Sequence, residues 1–225
     1  MCCVEVTSEF CEFYGAMLGD GCIGIYQYGN RLPRHTVLLT GSMYDRDYYV
    51  FKIIPILNKL YGDCFWLRKK SNANALLLRS YQKTPYICLR KFGFPTGKKH
   101  NLIIPPCFFQ NTQYVKACIR GIFDTDGSVY LRYSKKYKNH AKHYMYMNVQ
   151  FKMTSPFLLR QIEVFLTTLG IVCNNRYRDG TSTVLRITDQ KSVHRFFALI
   201  EPSNFHHQKR YLYWAQRDLN PRPIG

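Results

Sequence analysis

The sequence predicts an α+β protein built from two pseudo-symmetric halves, each reading α-β-β-α-β-β-α. Three observations predict it. A short segment near the start recurs in type 106 residues later, and the residues that follow it recur in the same order. The apolar pattern alternates between the 3.6-residue period of helices and the two-residue period of strands. Turn-forming pairs such as Gly29-Asn30 and Asp179-Gly180 punctuate the strand-like runs.

The repeat begins with Phe13-Tyr14-Gly15-Ala16-Met17-Leu18-Gly19-Asp20-Gly21 and with Ile119-Arg120-Gly121-Ile122-Phe123-Asp124-Thr125-Asp126-Gly127. Both segments place apolar residues, a glycine and a small residue four places on, and both end in Asp-Gly. After Asp20, an alternating run from Ile23 to Tyr28 turns at Gly29-Asn30 and returns through Thr36 to Thr40. After Asp126, strands 128–133 and 144–153 flank a basic loop, 134–143. Leu38-Leu39-Thr40-Gly41-Ser42 and Lys152-Met153-Thr154-Ser155 then lead into amphipathic helices. Their apolar stripes are Ile53, Ile54, Leu57 and Leu60 in one copy, and Ile162, Phe165, Leu166 and Leu169 in the other. Leu78-Arg79 and Leu185-Arg186, then Gln82-Lys83 and Gln190-Lys191, complete the series. The expected organisation is an N-terminal segment 1–8, halves 9–110 and 111–214 joined near Pro105 to Thr112, and a tail 215–225, loose from Arg217 onward.

Composition narrows the function. The 225 residues are 46% hydrophobic and 16% aromatic, enough to bury a core. The 32 Lys and Arg against 14 Asp and Glu leave a formal charge of +18, whose self-repulsion points to a polyanionic partner. No run is long and uncharged enough for a membrane span, so nucleic acid is that partner rather than a membrane. The nine cysteines are scattered without a C-x-x-C pair, which excludes a zinc site and fits reduced thiols. With no secretion signal after Met1, a cytoplasmic location is expected, or an organellar one for an organelle-encoded gene.

Gly15 and Gly19, like Gly121 and Thr125, fall one turn apart on a helix face, where small residues let two backbones approach closely. Glycine weakens a helix by roughly 0.8–1 kcal/mol relative to alanine, so a packing need is implied. Asp20 and Asp126 then end their helices at the negative pole of the dipole, an unfavourable position that a bound cation would reverse. A lone Asp-Gly is only a helix stop. Two close-packed helices ending together would set Asp20 beside Asp126, and paired carboxylates holding divalent metal serve phosphodiester hydrolysis.

Both segments resemble the nonapeptide that names the LAGLIDADG family, and Gly121 to Gly127 matches it closely. With the downstream repeats the resemblance covers roughly residues 9 to 214. It implies that the motif helices form the interface between halves and that four-stranded antiparallel sheets form a saddle over DNA. It also implies a monomeric, site-specific homing endonuclease using Mg2+, with Mn2+ able to substitute. By resemblance Asp20 and Asp126 are the metal-binding acids, with Gly19 and Thr125 adjoining the metal. Asp124, whose counterpart is Leu18, reads as structural or solvated. A lysine late in each half is a family tendency, which points to Lys99 and Lys209 as catalytic. Family members often carry Gln or Lys after the Thr of the second strand, whereas this chain has Gly41-Ser42 and Ser155-Pro156.

Tyr26, Gln27, Tyr28, Asn30, Arg31, Arg34, Arg68, Lys69, Lys70, Arg79, Arg132, Lys135, Lys136, Lys138, Arg176, Arg178 and Arg186 fall in predicted strands or their turns. They are the expected DNA contacts, the cations for phosphates and Gln, Asn and Arg also for base edges. A strand of ~9 residues spans ~30 Å, close to one ~34 Å turn of duplex, so two halves would cover roughly 20 bp of partly palindromic target. Two other readings share the scaffold: an RNA maturase with intron RNA as partner, and a DNA-binding regulator that does not cut.

Overall fold

The computed structural model describes residues 5–27, 29–30, 32–71, 73–99, 101–133 and 145–218. The first unit runs α1 (Ser8–Asp20), β1 (Gly21–Tyr26), β2 (Arg34–Ser42), a 3-10 turn (Met43–Asp45), α2 (Arg46–Tyr48), a π-helical turn (Tyr49–Ile53), α3 (Ile54–Tyr61), β3 (Trp66–Lys69), β4 (Ala75–Ser80) and α4 (Lys83–Lys91). A 3-10 turn, Pro106–Gln110, leads to the second unit. That unit runs α5 (Thr112–Asp126), β5 (Gly127–Tyr133), β6 (Met145–Met153), α6 (Pro156–Thr168), β7 (Tyr177–Asp179), β8 (Ser182–Ile187) and α7 (Gln190–Ile200). The α+β repeat is the one the sequence predicts. One helix exceeds the pattern: α8 (Phe205–Asp218) carries regular structure past Arg217, where a loose tail is expected.

Both sheets are antiparallel and share one strand order, β1-β2-β4-β3 and β5-β6-β8-β7. Gly21 pairs with Leu39 and Leu39 with Leu78; correspondingly Gly127 pairs with Phe151 and Phe151 with Leu185. Strand alternation then sends Ile23, Val37, Leu39, Leu76 and Leu78 to one face, and Val129, Met147, Val149, Phe151, Leu185 and Ile187 to the matching face of the other sheet. All are buried. The opposite faces carry the polar and charged residues, because their alternate positions have no helix layer against them.

Local signals start the helices. Thr7 Oγ1 accepts from the amide of Phe10 at 3.1 Å and Asn111 Oδ1 from Gln113 at 2.9 Å, capping α1 and α5. Asp189 and Asn204 cap α7 and α8 in the same way. Pro55 is the second residue of α3, just past the π-helical turn; a proline lacks the amide an ordinary turn needs, and the wider turn absorbs that loss. Residues 10–19 of α1 are all buried, because the helix is covered by α5 on one side and by α3 and the first sheet on the other. Among the described residues no helix is long and apolar enough to cross a membrane.

Candidate active site

The site starts with the approach of α1 to α5. A Cβ added to Gly15 would overlap the backbone carbonyl of Cys118, and one added to Gly121 would overlap that of Glu12. Gly19 meets the side chain of Thr125. The small residues therefore let backbone touch backbone. Gly21 and Gly127 follow the aspartates for the same steric reason: their φ values, −86° and −78°, are ordinary, but a Cβ would strike Met17 or Phe123. An ion network spans the seam. Buried Glu12 on α1 meets Arg120 on α5 at 3.1 Å and Lys52 at 3.2 Å.

Asp20 and Asp126 consequently end side by side, each the last residue of its helix. Burial raises the carboxyl of Asp20, the charge of Asp126 adds to this, and Lys99 opposes it, leaving Asp20 at about 7. Burial also raises Asp126, again opposed by Lys99. Lys99 is thus felt by both acids. Its Nζ donates to the carbonyls of Leu18 at 3.0 Å and Met17 at 3.5 Å, and to that of Gly19. These carbonyls form the negative C-terminal end of α1, a helix with no basic residue in its last turn; that of Met17 also accepts the amide of Gly21. Burial pulls the lysine down, and the two aspartates push it back up. Two carboxylates facing one ammonium leave an excess of negative charge that a divalent cation would balance. The hard oxygen donors suit magnesium or manganese.

The second half does not duplicate the lysine. Lys209 is exposed on α8, and the shifts of neither Asp20 nor Asp126 involve it. His207 occupies the corresponding ground. Its ring lies 4.9 Å from that of Phe123, the counterpart of Met17, and is hydrogen-bonded to the Phe123 backbone. Burial depresses it to about 4, so it is neutral near pH 7. Asp124 is buried, not solvated: its oxygens accept from the amides of Ser203 at 2.8 Å and Asn204 at 3.1 Å, pinning the start of α8 to α5. The Thr125 hydroxyl is spent on the carbonyls of Gly121 and Ile122.

The sheet faces turned away from the helices gather most of the expected contacts. In the first sheet Tyr26 pairs with Arg34, Trp66 with Arg79, and Arg68 with Leu77, all on one side. Arg34 and Arg79 both lie 5.7 Å from the ring centre of Tyr81. In the second sheet Arg132, Tyr130, Gln150 and Arg186 share a face. Arg186 Nε donates to Gln150 Oε1 at 2.7 Å, and its guanidinium lies 4.9 Å from the Tyr177 ring. Gln27 and Asn30 are exposed at the first hairpin turn, while Lys69, Lys70 and Arg178 are exposed along sheet edges. Arg176 leaves this group: it pairs with Glu163 on α6 at 2.7 Å, so its charge is drawn to the helix side. Tyr28, Arg31, Lys135, Lys136 and Lys138 lie outside the described residues.

Four residues at the site escape the sequence reading: Asp45, Tyr49, Asn204 and His207. His207 is 108 residues past Lys99, against 106 between the aspartates, so a repeat spacing held closer to 106 would have favoured it over Lys209. Asn204 is of an N-cap residue type, but the polar residues 206–210 that follow it give no apolar stripe to mark the helix start. Asp45 and Tyr49 carry no pattern that separates them from an ordinary helix start.

The profile of the LAGLIDADG-like domain family matches residues 113–201. Reverse gyrase of Methanocaldococcus jannaschii is 32% identical over 196 residues, 85% of this chain, although the chain spans only 10% of that protein. Among solved structures, I-DmoI in complex with DNA and Mn superposes with a TM-score of 0.62 at 16% identity, covering 87% of this chain and 97% of that one. A lysine-to-alanine mutant of I-SmaMI gives 0.67 at 13% identity, covering 96% and 91%. At these identities the superpositions speak to fold.

Proposed function

We propose that this chain, whose residues 113–201 match the LAGLIDADG-like domain family and whose fold is that of I-DmoI and I-SmaMI, is a two-motif member of that family: a metal-dependent, site-specific endonuclease of double-stranded DNA, acting as a monomer and promoting intron mobility. The observation that carries this reading is the meeting of Asp20 and Asp126 at the ends of two packed helices, under Lys99 and between two basic sheet faces. Halves 9–110 and 111–214 each supply one aspartate. Relatives of this fold were solved with target DNA and with Mn, Mg or Ca, which supports duplex DNA and a divalent cation.

Asp20 and Asp126 would hold Mg2+ or Mn2+, which when bound supplies a polarised phosphate oxygen and an activated water. Lys99 neutralises charge at the seam and is poised to offset the charge developing on the phosphate. Arg34, Arg68, Arg79, Arg132 and Arg186 neutralise backbone phosphates or read base edges, so affinity falls steeply as salt rises. The test uses a plasmid carrying the target, assayed for linear product. Asp20→Asn and Asp126→Asn should each abolish double-strand cleavage yet keep target binding, and a chelator should stop the wild type. Full cleavage by either variant would falsify the shared site.

A further inference from the structure

The turn after β2 brings a third carboxylate to the pair of aspartates. Asp45 ends the 3-10 turn Met43–Asp45, and its Oδ1 accepts from Nδ2 of Asn204 at 2.8 Å. Asn204 belongs to the other half. The same amide group donates to the carbonyl of Asp124 at 2.9 Å, two residues before Asp126, and the Asn204 backbone amide donates to Asp124 Oδ1. Its side-chain oxygen accepts from His206 at 3.0 Å. The Asn204 side chain is therefore fully committed and buried, and it ties the first half's turn to the last turn of the second motif helix.

A second observation points to a ligand at the same place. The Tyr49 hydroxyl is buried and has no hydrogen-bond partner among the described residues. It fills the space that a side chain at Gly41 would take, and it feels the charges of both Asp20 and Asp45. Asp45 in turn raises the proton affinity of Asp20. The orphan hydroxyl thus lies within the field of both carboxylates. Asp20, Asp126 and Asp45 are not grouped tightly enough to ligate one ion together, which keeps Asp45 outside the ligand set.

We propose that Asp45 is a positioning residue of the two-aspartate centre, held across the seam by Asn204 so that a third negative charge stands beside Asp20 and strengthens the centre's hold on a divalent cation. This rests on the reading of Asp20 and Asp126 as a cation site. The role is electrostatic and geometric at once: Asn204 fixes where the charge stands, and the charge acts on the ion through Asp20.

The test is Mn2+ affinity of the full chain, read from the free-ion signal in electron paramagnetic resonance, alongside thermal melting. Asp45→Asn keeps an oxygen acceptor for Asn204 and loses the charge. It should melt like the wild type and bind Mn2+ about 3–10-fold more weakly. Asp45→Glu keeps the charge and should stay within about threefold of the wild type. Asp45→Ala should lose the same affinity and also melt earlier, a loss that Asn204→Ala should share because the same bond is broken. Affinity of Asp45→Asn within about twofold of the wild type overturns the proposal. So does a loss in Asp45→Glu as deep as in Asp45→Asn. If Asp20→Asn also leaves Mn2+ binding unchanged, the cation site itself falls and Asp45 with it. If Asp20→Asn abolishes binding while Asp45→Asn does not weaken it, only the role of Asp45 falls.

Discussion

Adding one methyl group at Gly121 should unfasten the seam on which the site depends. In an isolated helix Gly→Ala is stabilising by roughly 0.8–1 kcal/mol. Here the new Cβ would overlap the backbone carbonyl of Glu12 and crowd the amide of Ala16, well inside the ~3.5 Å of normal contact. Neither group can rotate away, because both are main chain of α1. Overpacking costs ~1–3 kcal/mol where side chains can yield and more where they cannot. The net loss for Gly121→Ala is therefore about 2–3 kcal/mol, or a fall of about 5–10 °C in Tm. Gly15→Ala meets the Cys118 carbonyl and should behave alike. Gly19→Ala meets only the Thr125 side chain, which can turn aside at the cost of its bond to Gly121, so its loss should stay below about 1 kcal/mol. Thermal melts of the three variants check the order, and plasmid cleavage below the melting range checks the consequence. The helices must part to admit the methyl group, which moves Asp20 from Asp126, so cleavage should fall in the first two variants before unfolding begins. A Gly121→Ala protein as stable as the wild type, or a Gly19→Ala protein that is the least stable of the three, would refute the argument.

Lys99→Met should slow cleavage by about 10²-fold with target binding little changed, whereas Lys209→Met should cut normally, as expected of an exposed side chain on α8. Equal losses in the two variants, measured in single turnover, would refute the assignment of one lysine to the site. Glu12→Gln removes the buried charge shared by Arg120 and Lys52 and should cost roughly 2 kcal/mol in urea denaturation, with Arg120 keeping only the exposed Glu201 as its carboxylate. His207, held at about 4 against an ordinary 6.5, stabilises the fold fully above pH 6.5 and progressively less as pH falls. About 3 kcal/mol should be gone by pH 4, read as the difference in pH dependence between the wild type and His207→Gln. Parallel pH curves for the two proteins would contradict it.

The fold was legible because both levels of pattern are strong. Helix and strand periods differ clearly in this chain, and the two copies keep the same order, so each supports the other's assignment. The paired aspartates were legible for the same reason: Gly15, Gly19, Gly121 and Thr125 make sense only as a close seam, and the seam sets Asp20 beside Asp126. Residues whose role depends on a partner far along the chain were not. Asn204 reaches Asp45 across 159 positions, and the Tyr49 hydroxyl faces Asp20 only because Gly41 leaves room for its ring. Arg176 reads as one more basic strand residue until Glu163 draws it to α6. Periodicity fixes which face a residue occupies; it does not say which partner on that face it takes.

The two halves agree in backbone and differ in charge, and the difference bears on what the site requires. Lys99 closes the carbonyl end of α1 with an ammonium group, whereas His207 meets the Phe123 backbone on α5 with a neutral ring. A lysine at 207 would be buried against Phe123, where desolvation disfavours its charge; the histidine fills the same place uncharged. This end of the seam therefore holds one cation against Asp20, Asp126 and the nearby Asp45, and burial raises both motif aspartates because their charges are left without enough counter-charge. One ammonium group facing these carboxylates leaves the centre short of positive charge, and the proposed divalent cation rests on that asymmetry between Lys99 and His207.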